Sequence, residues 1–337
     1  MLEKIPEPFF SFGIMVLGIL ILFLSPISLT VGKSYSFIPF PGSAQRASAG
    51  TNIVMENFPA SRPAVPIQKD KLGFAGSSTA ASAIVVDTGT KTILFDKNKD
   101  EVRPLASISK LMSAMVLLDL PINWNVSTTK ITDADYDGSD HNVNVGEEYT
   151  LNDLWHVALI GSSNTAIRAL VRAVGFTTDE FAQKMNAKAK ELRLFSAHFV
   201  EPTGLSSQNV ANAYDTAKLL IDALKFDKIY TTVQIGHYEA HPLNGQPKKI
   251  WTTDWLLTNW VPNDFKMEDI AGKTGYITDS GYNFAVNLTS KKNHTITVVV
   301  LGTASNEQRF SEARDLAEWT FSNFVWPEDD GYKTPAQ

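Results

Sequence analysis

The sequence predicts an α+β fold, an antiparallel sheet assembled from both ends of the folded region with helices inserted between. Three observations predict it. Two apolar, β-branched runs, SAIVVD at 82–87 and KTILFDKN at 91–98, are separated by TGT and read as a hairpin. A second pair, FAVNLTS and HTITVVVLGT, flanks KKN at 291–293 near the other end of the chain. Between them lie stretches whose apolar residues recur at helical spacing, and strands at both ends with helices in the middle are the pattern of an α+β domain.

Taken in order, the chain opens on FFSFGIMVLGILILFLSPISLTVG, Phe9–Gly32, which carries no charge. An apolar run of about 20 residues is long enough to cross a bilayer, so a single membrane span is expected here. The one A-x-A-like site, Ala47-Ser48-Ala49, lies far downstream, which favours an uncleaved anchor over a signal peptide. Lys4 precedes the run while Lys33 and Arg46 follow it, so charge does not fix its orientation. Residues 33–71 are rich in Pro, Ser and Ala without a period and read as a tether. The folded domain is expected over 72–325, with 326–337 as a tail.

Within that domain, LASISKLMSAMVLLDL at 105–120 is expected to be a helix, with Leu111, Met115 and Leu118 on one side. LNDLWHVALIG, SNTAIRALVRAVG and TTDEFAQKMNAKAKELRL follow as three more, the last opening on Thr177 and Glu180, a capping box. AYDTAKLLIDALK and NEQRFSEARDLAEWTFSNF complete the set, and DGSDHNVNVGEE, Asp137–Glu148, reads as a loop near a cleft.

Composition excludes several chemistries. The chain has 337 residues, a net charge of −6 and no cysteine. The acidic balance argues against a nucleic-acid partner, and the missing cysteines exclude disulfides and thiolate chemistry. The six histidines are scattered without H-E-x-x-H spacing, so neither a metal nor a cofactor is expected. His156, beside Trp155, reads as packing.

Three short motifs carry the chemistry. Ser107 and Lys110 form S-x-x-K at the start of an apolar helix, where positions i and i+3 share a face. Ser162 and Asn164 form S-x-N, and Lys273-Thr274-Gly275 stands on an expected strand. Each pattern alone is weak. S-x-x-K recurs at Ser127–Lys130 and S-x-N at Ser207–Asn209, but the first copy has no helix behind it and the second lies in a polar loop. The order S-x-x-K, S-x-N, K-T-G is far more specific.

With these motifs, and with RPLASISKLMSAMV, VGEEYTLNDLWHVALIGSSNTAIRAL, MNAKAKELRLFSAHFVEPTGL and KTGYITDSGYN around them, the chain resembles the low-molecular-mass penicillin-binding proteins, serine-type D-alanyl-D-alanine carboxypeptidases, over about residues 72 to 325. The resemblance implies a β-lactamase/transpeptidase-like fold with a helical subdomain. It implies Ser107 as nucleophile, Lys110 as its base, Ser162 as proton relay, Asn164 as substrate holder and Lys273 as a cation across the cleft. Thr274 and Gly275 would offer a strand edge to the peptide, and backbone N–H groups, including that of Ser107, would hold the oxyanion. The implied substrate is the D-Ala-D-Ala end of a peptidoglycan stem peptide, with β-lactams as covalent inhibitors. The expected location is the cell membrane, single-pass, with the catalytic domain on the extracytoplasmic side.

Lysine is protonated at neutral pH. Lys110 can serve as a base only if burial or a neighbouring cation depresses its pKa, and Lys273 is the cation expected to do so. Some positions depart from the family pattern. Glu201 stands before P-x-G-L where Asn is usual, Asp254 replaces an expected Asn, and Ile277 precedes Thr278 after K-T-G-Y. His294 and Thr295 occupy the strand where family carboxypeptidases carry an Arg for the terminal carboxylate. These departures leave DD-endopeptidase and β-lactamase activity open, the latter with Glu201 as its only candidate deacylating base. A catalytically silent wall-binding protein is a further alternative.

Overall fold

The computed structural model describes residues 64–70 and 73–333. The expected membrane span, Phe9–Gly32, lies outside them. Among the described residues, no helix is long and apolar enough to cross a membrane.

One five-stranded antiparallel sheet forms the frame. Its strands are β1 (Ser82–Asp87), β2 (Ile93–Lys97), β3 (Ala271–Ile277), β4 (Gly281–Thr289) and β5 (Thr295–Thr303), in the spatial order β3-β4-β5-β1-β2. Both expected hairpins are present, and β1 joins the late strands through pairs such as Ile84–Val299. The sheet is therefore closed from the two ends of the domain, as the strand distribution predicts.

Every residue of β1 is buried, because both faces of the sheet are covered. Ala83 and Val85 join Phe284, Val286, Val298 and Val300 under Phe310, Ala313 and Leu316 of a late helix, α7 (Gln308–Asn323). Ile84 and Val86 point the other way, into the larger core shared with the central helices. Strands with two covered faces read as continuous apolar runs rather than alternating ones.

The central helices are α1 (Lys110–Leu118), α2 (Leu151–Ile160), α3 (Asn164–Ala173), α4 (Thr178–Glu191), α5 (Ala213–Ala223) and α6 (Asp227–Val233). Their starts are written in the sequence. The Thr150, Ser163, Thr177 and Asn212 side chains cap α2, α3, α4 and α5, and Thr177 with Glu180 closes the capping box. Helix α1 is apolar on every side, and residues 110–117 are all buried, so it forms the axis of the larger core.

Four features differ from the sequence reading. Ser107 lies on a 3-10 turn, Ala106–Ser109, that leads into α1 rather than on the helix itself. Ile67–Gln68, inside the stretch read as a tether, pairs with Phe324–Val325. Trp326, in the expected tail, is buried and donates from Nε1 to Asp87 Oδ1 at 2.8 Å. A hairpin at His237–Ala240 and Lys248–Trp251, to which the sequence reading assigns no element, follows α6.

Candidate active site

The three motifs converge on one cleft. Ser107 comes from the 3-10 turn, Lys110 from the first residue of α1, Ser162 and Asn164 from either side of the α3 cap, and Lys273 to Gly275 from β3. Ser163, the middle residue of S-x-N, is the cap itself, which frees its two neighbours for the cleft.

Lys110 is fully buried, and its Nζ meets three oxygens: Ser107 Oγ at 2.8 Å, Asn164 Oδ1 at 2.6 Å and the Thr203 carbonyl at 2.8 Å. Burial pushes its pKa down to about 7. The carboxylates of Glu201, Asp140 and Asp137 oppose this, and the charge of Arg168 assists it. The geometry matches a neutral amine. A neutral lysine has two N–H groups and one lone pair. The amide oxygen and the carbonyl can only accept, so they take the two N–H groups. The lone pair is then left facing the Ser107 hydroxyl.

The sequence names Lys273 as the cation that helps to hold Lys110 neutral; burial of Lys110 comes ahead of any neighbouring charge. Lys273 is itself buried and lies well below the ordinary lysine range, through burial first and then the charges of Lys110 and Arg309. Its Nζ donates to Ser162 Oγ at 2.7 Å and to the Thr274 carbonyl at 3.1 Å, so Lys273 is the partner of Ser162. The Thr274 hydroxyl lies 2.6 Å from that of Thr253.

Local backbone shape explains the glycines and two strained residues. Ala106 (φ 49°) and Ser162 (φ 60°) both occupy the left-handed region, one beside Ser107 and one carrying the hydroxyl that meets Lys273. At Gly204 (φ 90°) a Cβ would fall 1.9 Å from the Ala106 carbonyl oxygen, and at Gly275 it would fall 2.5 Å from that of Leu105. The 201–206 loop and β3 thus press on the nucleophile turn from two sides, closer than any side chain permits.

Several site residues are not visible in the motifs. Asp137 Oδ2 accepts from Asn164 Nδ2 at 2.6 Å, which turns the amide so that its oxygen faces Lys110. Asp140 accepts from the Ser163 hydroxyl and from the Thr165 N–H at 3.1 Å, fixing the start of α3. Both belong to the loop read as lying near a cleft. Glu201 is not placed as a deacylating base. Its oxygens accept from Thr203 N at 2.7 Å, Thr203 Oγ1 at 2.6 Å and Gly204 N at 2.6 Å, with Asn209 Nδ2 at 3.1 Å. It organises the loop whose Thr203 carbonyl reaches Lys110.

Asp254 is buried, accepts from Leu256 N and Leu257 N, and leaves Oδ2 without a partner; burial raises its pKa to about 6. His294 and Thr295 are not at the cleft. Thr295 pairs with Thr289, whereas Thr274 pairs with Phe284 and Phe284 with Val300, so His294 sits at the other end of β5. There it stacks on Trp326 at 4.4 Å and contacts Asp329 at 3.0 Å. The guanidinium that reaches the K-T-G strand is Arg309 on α7, whose Nη1 donates to the Gly275 carbonyl at 3.2 Å. His156 stacks on Tyr238 and its Nδ1 lies 2.7 Å from the Asn152 carbonyl, a packing role. The second S-x-x-K lies on the ladder Thr128–Lys130 with Glu148–Thr150, away from these groups.

Comparison with known proteins agrees with this geometry. The sequence pattern of the D-alanyl-D-alanine carboxypeptidase family matches residues 69–305. A D-alanyl-D-alanine endopeptidase of Pseudomonas aeruginosa is 30% identical over 261 residues, 76% of this chain and 82% of the relative. The D-alanyl-D-alanine carboxypeptidase DacF of Bacillus subtilis is 29% identical over 73% of this chain and 63% of its own length. A variant of the Streptomyces K15 DD-transpeptidase superposes with a TM-score of 0.66 at 25% identity, covering 73% of this chain and 99% of that one. With two thirds of its length under that family pattern and its three motifs gathered in one cleft, this chain belongs to the D-alanyl-D-alanine carboxypeptidase family of serine peptidases.

Proposed function

We propose that the chain is a serine-type D-alanyl-D-alanine carboxypeptidase of peptidoglycan stem peptides, and that Ser107, Lys110, Ser162, Asn164 and Lys273 perform the chemistry. The observation that carries this reading is the set of three oxygens around Lys110, which leaves a buried amine one lone pair aimed at Ser107.

Ser107 Oγ attacks the carbonyl carbon of the penultimate D-Ala, and its proton passes to Lys110 Nζ. Negative charge gathers on the carbonyl oxygen. The Ser107 N–H stands in the first turn of the 3-10 helix, where backbone donors have no intrahelical acceptor, and is available to it. The C–N bond then breaks. The departing D-Ala nitrogen takes a proton from Ser162, which is hydrogen-bonded to Lys273 at 2.7 Å, and the proton that Lys110 took from Ser107 makes good the loss, so both amines regain their starting states. Water attacks the acyl ester and gives a proton to the neutral Lys110, which returns it to Ser107 Oγ as the ester C–O bond breaks, so the shortened peptide leaves with Ser107 and Lys110 both restored. Asn164 and the edge of β3 at Thr274 and Gly275 hold the peptide during both steps. Arg309, directly behind Gly275, supplies positive potential on the side of the substrate's terminal carboxylate.

A second reading has the same serine cut D-Ala cross-links, and the relatives named endopeptidases at 30% identity support it. The uncharged stretch Phe9–Gly32 supports anchoring to the cell membrane with the catalytic domain on the extracytoplasmic side. The full chain should then pellet with membranes and resist high salt. Recovery in the soluble fraction would refute the anchor.

The test of the reaction is fluorescent penicillin followed by peptide mapping, then hydrolysis of an uncross-linked D-Ala-D-Ala pentapeptide against a cross-linked dimer. The adduct is expected on the peptide PLASISK, with the pentapeptide cut faster. Faster cutting of the dimer would establish the endopeptidase. An adduct elsewhere would overturn the assignment. Because the oxygens of Glu201 are held by its own loop, Glu201 is not free to activate water at the penicilloyl ester, and that adduct should persist for minutes or longer.

A further inference from the structure

The hairpin of His237–Ala240 and Lys248–Trp251 has two unlike faces. Tyr238, Ala240 and Ile250 turn inward. The Tyr238 hydroxyl donates to Asp153 Oδ1 of α2 at 2.9 Å, and its ring stacks on His156. Ile250 is buried against Gly161, where an added Cβ would fall 2.6 Å from Ile250 Cγ2. His237, Glu239, Lys249 and Trp251 alternate with these and are exposed. The register sets Trp251 opposite His237, with ring centres 5.1 Å apart, and Lys249 Nζ stands 4.2 Å from the centre of the Trp251 ring.

The aromatic end of the outward face is the end nearest the cleft. Gly161, on which Ile250 packs, immediately precedes Ser162, whose hydroxyl meets Lys273. Two residues after Trp251, the Thr253 N–H donates to the Ile160 carbonyl at 3.3 Å, and the Thr253 hydroxyl lies 2.6 Å from that of Thr274. Two residues of chain span at most about 7 Å, so Trp251 stands at the rim where the S-x-N and K-T-G motifs meet. Its indole is 57% exposed and adds little to the core, and tryptophan is among the side chains enriched at binding hot spots. Lys249 makes no hydrogen bond or ion pair with any described residue, whereas Glu239 contacts His241 at 3.2 Å.

The departing nitrogen leaves on the side of Ser162, so whatever it carries runs out of the cleft on that side. A single D-Ala is short enough to end beside Thr274 and Gly275. In a cross-linked substrate the same nitrogen carries a second stem peptide, a chain with aliphatic side chains and a free terminal carboxylate. An exposed indole beside an unpaired ammonium matches that chemistry, through apolar contact with the ring and charge pairing at Lys249. We propose that the outward face of this hairpin, centred on Trp251 with Lys249, is a subsite for the leaving-side peptide of cross-linked peptidoglycan. The proposal rests on the peptidase reading above, and it adds a surface that lies outside the three motifs.

The test compares kcat/KM on two substrates, an uncross-linked D-Ala-D-Ala pentapeptide and a cross-linked peptide dimer free of sugar, in wild type, Trp251→Ala, Trp251→Phe and Lys249→Gln. Trp251→Ala is expected to lower the dimer value about tenfold, chiefly through KM, the scale of truncating an aromatic at an interface. The pentapeptide value should stay within about twofold of wild type, and so should penicillin acylation of Ser107, which involves no leaving-side peptide. Trp251→Phe should keep part of the dimer activity that Trp251→Ala loses. Lys249→Gln should lower the dimer value by a smaller factor that vanishes at high salt. An unchanged dimer value in Trp251→Ala, an equal loss on both substrates, or a wild type that cuts the pentapeptide but not the dimer would overturn the subsite and leave the peptidase reading standing. Hydrolysis of neither substrate by wild type would overturn the peptidase reading itself, and the subsite with it.

Discussion

The chain contains S-x-x-K twice, and the two copies have different fates. Ser107 and Lys110 flank the junction of a 3-10 turn and a helix, where side chains three apart lie on one face, and their polar atoms stand 2.8 Å apart. Ser127 and Lys130 run into a short strand, where side chains three apart point to opposite faces. Lys110 is fully buried with its pKa near 7; Lys130 is exposed, and its backbone carbonyl serves Arg172. The same four letters give the proposed nucleophile with its base in one place and a sheet edge in the other. Burial by the surrounding helices, not the motif, leaves a lysine amine unprotonated, and so able to accept a proton, near neutral pH.

The largest expected effect separates the two serines. Ser107→Ala should abolish penicillin labelling and peptide hydrolysis together, whereas Ser127→Ala should keep both, as read by gel fluorescence and product release. Labelling that survives Ser107→Ala would dissolve the contrast. Next come the two lysines. Lys110→Ala should slow acylation by about 10²–10⁴-fold, the usual contribution of a general base, and Lys130→Ala by less than about twofold.

A smaller effect is expected from the loop that presses on the nucleophile turn. Gly204→Ala puts a Cβ at φ 90° and 1.9 Å from the Ala106 oxygen. Thermal unfolding should show a loss of about 1–3 kcal/mol, with slower acylation; an unchanged Tm and rate would show that the two loops are not in contact. The smallest effect sharpens the comparison most. Asp137→Ala removes the acceptor that turns the Asn164 amide toward Lys110. Acylation should fall by about tenfold, one hydrogen bond's worth, with penicillin still bound at the same serine. An unaltered rate would leave Asn164 oriented by Lys110 alone.

Much of this was legible in the sequence for physical reasons that can be named. The hairpins at SAIVVD and HTITVVVLGT and the capping box at Thr177 are local signals, and local signals survive folding. Ser107, Lys110, Ser162, Asn164 and Lys273 were visible because their motifs occur in a specific order. What was not legible depends on contacts between distant segments. Thr203 acts through a carbonyl, which no side-chain motif records, from 93 positions beyond Lys110. Asp137 acts by turning an amide 27 positions away. The family resemblance sets His294 where carboxypeptidases carry an Arg for the terminal carboxylate, but the register of β4 on β5, which the sequence does not reveal, carries it to the far end. The small hairpin at His237–Trp251 has strands of four residues, too short for a periodic signal to stand out.

The account rests on Lys110 being neutral because it is buried. The most direct measurement is the pH dependence of the second-order rate of penicillin acylation in wild type, Lys273→Ala and Lys110→Arg. A base that must be unprotonated gives a rate that climbs with pH through its pKa, so wild type should inflect at about 7, far below the ordinary lysine value of 10.5. Lys273→Ala should be slower yet keep its inflection near 7, because desolvation is the leading cause of the shift at Lys110. Lys110→Arg, cationic throughout this range, should lose both the rate and the inflection. An inflection near 10 in wild type, or one near 7 that survives Lys110→Arg, would contradict Lys110 as the buried neutral base.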